Sequence, residues 1–559
     1  MIKFQPQLAS FRSLLSSSYQ RYYSSSSQIH DVYIYNSKIK SLEKFEPKYP
    51  GTIFWYSCGP TVYDSSHIGH ASTYVTFDII HRILKHVFNY NIVLMMGITD
   101  IDDKIINRSQ KEHVHYLEIS KKYEQEFIDD MSKLNVQPPT LYARVSEHIP
   151  LIINFIQKLI DDGFAYSCPS GSVYFNMTRY GEKNEYNHHR MNEQGVSSLE
   201  SDIINEKRNA RDFALWKGRD KTANELKFQS PWGFGRPGWH IECSAMVSRT
   251  FGSHLDIHSG GLDLVFPHHA NEILQSTAYH GSKTWVNYWL HAGLLNTKSM
   301  DEKMSKSLNN TILIRDMLKT YTATQFRLFC LMHDYRSPRS FESAAIQQAL
   351  FVDKLFKAFF ETVQACQKGL VDISTLSEAE IITKIRNAQE EIVDVLANNF
   401  DTPSAMTRLQ ELVHWINSHM NYDTPTTNEN TIHNIPTCAL FLAVDFIQSW
   451  LNIFGIDISL SGHQNQNSSS DRILLENVIE KSVQFRTNIR EICRRSPSDE
   501  VNPKKLLLEQ CDDYRSQMKY IGVDIKVLQQ IIDLFLFQDL FMHFRIDIKL
   551  QHGPLRNEN

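Results

Sequence analysis

CGPTVYDSSHIGH, residues 58–70, stands between a strand and a helix. The preceding TIFWYSC, Thr52 to Cys58, is almost continuously apolar and rich in aromatics. Such a run ending at Gly-Pro reads as a buried strand of a parallel sheet. Beyond the stretch, Tyr74, Phe77, Ile80, Leu84 and Val87 recur at three- and four-residue steps, the period of an amphipathic helix. His67-Ile68-Gly69-His70 therefore opens that helix. A helix N-terminus offers free N–H groups and a positive dipole end to a phosphate. His67 and His70 add further donors, and Gly69 leaves room for a nucleotide against the backbone. Two surface histidines at a helix start fit these four residues equally well.

Length and composition narrow the field. The 559 residues allow two to four domains, and 42% hydrophobic residues suffice for ordinary cores. No apolar run approaches the ~20 residues of a membrane span. The eight cysteines are scattered and form no CxxC pair, which argues against a disulfide scaffold. A net charge of −5 does not mark a general nucleic-acid binder. Any RNA contact must use local basic patches and weaken with salt. Residues 1–30 contain Lys3, Arg12 and Arg21 but no acid, and serine is abundant. Leu8, Phe11, Leu14 and Leu15 fall on one helical face. This is the composition of a mitochondrial transit peptide, and Arg21-Tyr22-Tyr23-Ser24 resembles its processing site. A disordered Ser-rich tail is the plainer alternative.

Along the chain, residues 31–110 read as the first half of a doubly wound sheet. Ile92–Met96 is its second strand candidate and ends near Thr99 and Asp100. In open α/β sheets ligands sit at the carboxyl ends of strands, where Cys58 and Thr99 both fall. Asp100, Asp102 and Asp103 are expected to cap and charge the next helix rather than bind metal. Residues 111–230 change pattern and read as an insertion; Gly171–Phe175 looks like a hairpin strand. The sheet resumes over 231–300, with a strand from His254 to His258 ending at Gly260-Gly261. Pro267 is expected to start a helix, with His268 and Glu272 on one face. Trp285 to Leu295 supplies another strand. After residue 341 the apolar spacing is helical, near 344–367, 376–400, 403–420, 438–454, 472–494 and 525–545.

Lys303-Met304-Ser305-Lys306-Ser307 places two lysines on a Ser-containing loop, suited to a mobile polyphosphate clamp. By itself it reads equally as a solvated loop. Together, HIGH and KMSKS resemble the class I aminoacyl-tRNA synthetases. CGPTVYD, ITDIDDK (Ile98–Lys104), GRPGWHIECSAM (Gly235–Met246) and FPHHANE (Phe266–Glu272) resemble the cysteinyl-tRNA synthetase family. The resemblance covers residues 31 to about 420. It implies an α/β fold: a Rossmann-like doubly wound parallel sheet split by a connective insertion. The KMSKS loop and stem-contact region would occupy 301–340, and a mostly helical anticodon-binding region 341–559. The insertion would help hold the tRNA acceptor end, with Lys207, Arg208, Arg211, Lys217 and Arg219 near phosphates or simply solvated. Arg494, Arg495, Lys504 and Lys505 are further candidate RNA contacts. The family's tryptophan near the C-terminus is missing here.

The resemblance also implies a zinc site of Cys58, Cys243, His268 and Glu272. Taken alone, each cysteine reads as a buried small hydrophobe. Gly59, Thr99, Trp239 and His258 would complete the amino-acid pocket, although Trp239 and His258 equally suit a core. His67, Gly69, His70, Lys303 and Lys306 would bind ATP, which arrives with magnesium. His67, His70, Lys303 and Lys306 would stabilise charge during transfer. The implied partners are L-cysteine, ATP and tRNA(Cys). A monomer in the mitochondrial matrix, without a membrane or a hydrolytic editing domain, is expected. Two other readings share these motifs: transfer of the cysteinyl adenylate to a small amine, and a non-catalytic RNA-binding relative.

Overall fold

A hairpin, β1 (Tyr33–Asn36) and β2 (Ser41–Lys44), precedes the strand expected from the apolar run, β3 (Thr52–Thr61). The computed structural model describes residues 31–184, 206–218, 227–296, 311–367, 377–420, 437–458 and 513–514. Helix α1 (Ile68–His86) leads to β4 (Asn91–Thr99), α2 (Asp103–Glu112), α3 (Tyr116–Lys133) and β5 (Leu141–Arg144). After α4 (Ile149–Asp161) come β6 (Ala165–Ser167), β7 (Val173–Phe175), α5 (Met177–Asn184), β8 (Ala214–Gly218), β9 (Phe228–Ser230) and β10 (Gly233–Pro237). The chain continues through α6 (Trp239–Phe251), β11 (Leu255–Gly261), α7 (Ala270–His280) and β12 (Val286–Ala292). Strands β13 (Leu295–Asn296) and β14 (Arg339–Ser340) flank α8 (Ile314–Thr320) and α9 (Ala323–Leu331). Four longer helices follow: α10 (Ser343–Gln367), α11 (Glu378–Ala397), α12 (Thr402–Ser418) and α13 (Thr437–Ile453). The chain divides into two units, Met1–Leu460 and Ser461–Asn559, and every element named here belongs to the first.

The central sheet is wholly parallel, in the order β12-β11-β3-β4-β5. From β3 the chain winds outward one way to β4 and β5, then returns to build β11 and β12 on the other side. The crevice between β3 and β11 is thus a topological switch point. Alternate residues of β3 serve the two faces. Ile53 and Trp55 join a core with Val75 and Ile79 of α1, while Tyr56 and Cys58 join one with Ile152 of α4, Met246 of α6 and Leu274 of α7. Strands β6, β7, β8, β10 and β9 form a separate antiparallel sheet.

Three expectations are corrected. Residues 111–230 were assigned to the insertion, yet β5 inside that span pairs in parallel with β4. The inserted sheet therefore runs from Ala165 to Pro237. At four residues with one polar end, β5 is too short to announce itself as a strand. Secondly, β3 does not end at Cys58 but continues through Thr61 with a register shift. Thirdly, Pro267 does not start the regular helix. An irregular turn spans Val265–His269, and α7 begins at Ala270. The expected transit peptide, the helices near 472–494 and 525–545, and Arg494, Arg495, Lys504 and Lys505 lie outside the described residues.

Helix α1 is buried on nearly every side, because it lies between the sheet and the helical region. That burial encloses charge, one carboxylate between two guanidiniums. Asp78 Oδ2 accepts from Arg82 Nε at 2.8 Å and from Arg327 Nη2 of α9 at 2.5 Å. Asp78 Oδ1 accepts from the Gln137 amide at 2.8 Å. Arg327 also donates to the carbonyls of Leu134, Asn135 and Phe454. Gly455, at φ +75, has no room for a Cβ against this guanidinium. Deleting Arg327 would leave Asp78 with Arg82 alone and take this donor from the Leu134, Asn135 and Phe454 carbonyls, and breaking such a buried network costs about 3–5 kcal/mol. Arg327→Ala should lower stability by about that amount, read from the denaturant midpoint. An unchanged midpoint would show that this junction does not hold the helical region to α1.

Candidate functional site

The four expected metal ligands come from three places in the fold and meet at the switch point. Cys58 comes from β3, Cys243 from α6, His268 from the turn before α7, and Glu272 from α7 itself. All are buried. His268 Nε2 lies 3.0 Å from Glu272 Oε1 and 3.5 Å from Cys243 Sγ. Cys58 Sγ lies 4.0 Å from Glu272 Oε1. His269 is a fifth donor, which the resemblance sets aside in favour of His268: its Nε2 is 3.4 Å from Cys58 Sγ. Donor atoms of Cys58, His268, His269 and Glu272 all lie within 4.8 Å of one another. The other ring nitrogen of His269 is engaged by His291 Nε2 at 2.7 Å.

The electrostatics suit a cation site. Burial alone would raise the Glu272 carboxyl, but the His258 and His268 imidazoles outweigh it and hold it down to about 2. Burial alone would lower His268, but Glu272 and Cys243 raise it to about 10. Burial pushes the Cys58 thiol well up. Cys243 is brought down to about 6 by its hydrogen bond with Cys58, with help from His268. One of the two thiols thus ionises far more readily than the other. Burial also drives His240 and His269 well below the usual imidazole range.

Cys58 reaches this position through a bulge. Cys58 pairs with Gly97, but Thr61 pairs with Thr99, so β3 carries one extra residue. Gly59 lies in that step, where a Cβ would strike the Gly97 carbonyl oxygen. The Tyr74 hydroxyl of α1 donates to the Cys58 carbonyl at 3.2 Å. At the head of α1, His67 is the N-cap. Its Nδ1 accepts from the Gly69 amide at 3.1 Å, and its own amide meets His70 Nδ1 at 3.3 Å. The two rings stack at 3.9 Å.

A cavity of about 460 Å³ joins these parts. Cys58, Cys243 and His268 line it together with Gly59, Thr99, Trp239, His67 and His70. Trp239 stacks on His268 at 4.4 Å and is 40% exposed, so it is a cavity wall rather than core. Thr99 Oγ1 donates to buried Glu242 at 3.3 Å. Gly69 does not line the cavity; its amide serves the His67 cap. His258 departs from its expected place in the amino-acid pocket. It is fully buried behind the site, donating from Nε2 to the Glu272 carboxylate at Oε2, 3.0 Å away, and stacking on Trp289. Lys303 and Lys306 lie outside the described residues. Lys104 and Asp263, not singled out in the sequence, also line the cavity. Asp102 caps α2 by accepting from the Lys104 amide, as expected, and Asp103 pairs with Lys217 and Arg236. Of the other candidate RNA contacts, Arg208 lies over the Tyr166 ring and Lys207 near Tyr174; Arg219 is outside the described residues.

Residues 44–351 match the family model of the class I (C) tRNA synthetase catalytic domain. The fold agrees: methionyl-tRNA synthetase of Mycobacterium tuberculosis, solved with methionyl-adenylate, superposes with a TM-score of 0.52 at 13% identity, covering 72% of this chain and 90% of that one. Fold and site thus define a class I aminoacyl-tRNA synthetase. Similarity to curated relatives narrows the class. A probable mitochondrial cysteine–tRNA ligase of Xenopus tropicalis is 37% identical over 90% of this chain and 86% of its own. A mitochondrial counterpart from Dictyostelium discoideum is 40% identical over 81% and 78%. A cysteine–tRNA ligase of Encephalitozoon cuniculi is 37% identical over 88% and 96%. The chain belongs to the cysteine–tRNA ligase family, and its activity is the charging of tRNA with cysteine.

The Glu272–His268 pair gives chelator-stripped protein a defined pH profile. Glu272, depressed to about 2, adds stability above its unfolded value of ~4.3, and this is lost as pH falls towards about 2. His268, raised to about 10, adds stability below ~6.5, and this is lost as pH rises through about 10. Thermal unfolding of stripped protein should therefore be most favourable to the fold between roughly pH 4.3 and 6.5. Glu272→Gln should flatten both limbs. Identical profiles for the two proteins would contradict the pairing.

Proposed function

We propose that the chain ligates L-cysteine to tRNA(Cys) through a cysteinyl-adenylate in the mitochondrial matrix, with zinc selecting the substrate thiolate. One observation carries this reading: two buried thiols and an imidazole line the cavity that also holds His67 and His70, and the buried Glu272 carboxylate meets that imidazole from behind. The donor set fits zinc, which favours thiolate and imidazole in compact four-ligand sites. Cys58, Cys243, His268 and Glu272, the set that the resemblance implies, would hold it; His269, whose Nε2 also faces Cys58, is the rival donor. When bound, the ion would offer the substrate sulfur a soft position that deprotonates a thiol and that the hydroxyl of serine fills poorly. Specific recognition of this kind can reach ~10⁴–10⁵ without editing.

The chain's own residues then organise two steps. The cysteine carboxylate attacks the α-phosphate of ATP, which arrives with magnesium, and pyrophosphate leaves. His67, His70 and the free amides at the head of α1 meet the charge growing on the phosphate oxygens. Gly59, held against β4, keeps the floor of the pocket open to the substrate, with Thr99 and Trp239 beside it. His258 acts from behind, fixing Glu272. Lys303 and Lys306 close on the β- and γ-phosphates. Their place beside α1 is supported by the chain just after them: the Ile68 amide donates to Ile312 and the Ile314 amide to Ser66. The terminal ribose hydroxyl of tRNA finally takes the cysteinyl group from the adenylate. The acid-free N-terminus and the mitochondrial relatives support the matrix assignment.

Cysteine-dependent ATP–pyrophosphate exchange and charging of a tRNA(Cys) transcript, each with and without a chelator, test the reading. Exchange that ignores chelation would remove zinc from it. Lys306→Ala should slow exchange ~10²-fold or more with metal content intact; unchanged exchange would remove Lys306 from the mechanism. Cys243→Ser should lower bound zinc and cysteine-over-serine selectivity together. If His269→Gln does so and Cys243→Ser does not, the fourth ligand is His269.

A further inference from the structure

Charging requires the tRNA terminal ribose to enter the cavity, so a single strand must cross its rim. The inserted sheet builds one side of that rim. Arg236 on β10 and Lys217 on β8 are directly opposed across the antiparallel pair and so share a face. Both reach Asp103, the first residue of α2: Lys217 Nζ at 3.2 Å and Arg236 in a direct ion pair. This joint docks one face of the sheet on the head of α2. The next residue, Lys104, lines the cavity and is the sole Lys or Arg among the described residues that do.

Strand alternation puts Phe234 on the same face of β10 as Arg236, two residues further from the joint. Phe234 is 57% exposed. One exposed aromatic means little by itself; its position gives it meaning. Moving outward from the cavity, Lys104 of α2 stands at the mouth, and the sheet face then presents the Asp103-bound cations and an open aromatic ring. Lys104 is exposed, its ammonium lying over the Tyr63 ring. An aromatic platform in line with an exposed cation is the pairing that takes unpaired nucleotides, the ring stacking on a base and the cation meeting a phosphate.

We propose that Phe234 and Lys104 form a track for the single-stranded 3′ end of the tRNA. Phe234 stacks on an unpaired base, and Lys104 holds a backbone phosphate at the cavity mouth. The track rests on the tRNA-charging activity and adds the residues that guide the RNA. Its test uses the full chain and compares the KM for a tRNA(Cys) transcript in charging with cysteine-dependent ATP–pyrophosphate exchange, which needs no tRNA. Phe234→Ala should raise that KM about tenfold or more, with a much smaller effect on exchange, and Phe234→Trp should restore it. Lys104→Gln should make charging less sensitive to salt, reducing the log–log slope by about 0.7, the value for one phosphate on a single strand. A tRNA KM within twofold of the parent for Phe234→Ala overturns the track. So does an equal loss in both assays, which would be a folding effect. Absence of exchange in the parent protein would instead defeat the adenylate reading and leave the tRNA KM to judge the track.

Discussion

The parallel pairing of β3 with β11 is the constraint on which the structure depends. These neighbours are far apart in sequence, and the chain leaves them towards opposite edges of the sheet. No crossover helix can then cover the crevice at their carboxyl ends. Everything chemical in the fold collects there. β3 delivers Cys58, β4 delivers Thr99, and β11 delivers His258 before the chain turns into His268 and Glu272. The bulge in β3 adds the single residue that turns the strand out of the sheet and towards α1.

Placing thiols, imidazoles and a carboxylate in such a crevice carries a desolvation cost that an apolar core would avoid. Mutual pairing offsets it. Glu272 is gripped by His258 on one oxygen and His268 on the other. The other imidazoles, His240, His269 and His291, are kept neutral by burial, so they can pack against one another without like-charge repulsion. The aromatic faces of Trp239 and Trp289 cover His268 and His258. The nest is therefore rigid around its donors, which is what a site discriminating sulfur from oxygen requires.

Much of this was legible in the sequence where a local pattern carries the physics. The apolar run of β3, the stripe of α1 and the helical spacing after residue 341 each announce their elements. The convergence of Cys58, Cys243, His268 and Glu272 was available through family resemblance alone, because sheet topology assembles ligands that sequence spacing leaves scattered. β5 stayed hidden, since four residues reading LYAR carry no strand period. His258 was misplaced because a histidine at a strand's carboxyl end can face the cavity or support a neighbour, and periodicity cannot choose between them. Phe234 gave no signal: its exposure is a property of the sheet face, fixed by the Arg236–Asp103 joint. Arg327 likewise looks like any basic residue in a helix until Asp78 appears opposite it.

Helix α1 ties these features into one mechanical unit. Its first turn is bridged to the segment following the KMSKS lysines, through His67 and Leu313. Two turns on, Tyr74 holds the carbonyl of Cys58. One turn further, Asp78 is fastened to Arg327 and, through it, to the Phe454 carbonyl just past α13. Tyr74 and Asp78 are four residues apart and so stand on neighbouring turns of one face. The same rod therefore carries His67 and His70 at its head and touches both the strand that bears Cys58 and the helices that follow the catalytic fold. Because a helix shifts as a body rather than bending between such contacts, displacement at the Arg327 end moves His67 and the Cys58 carbonyl together. In the proposed reaction, nucleotide and thiol would thereby be held in register by a single element of secondary structure.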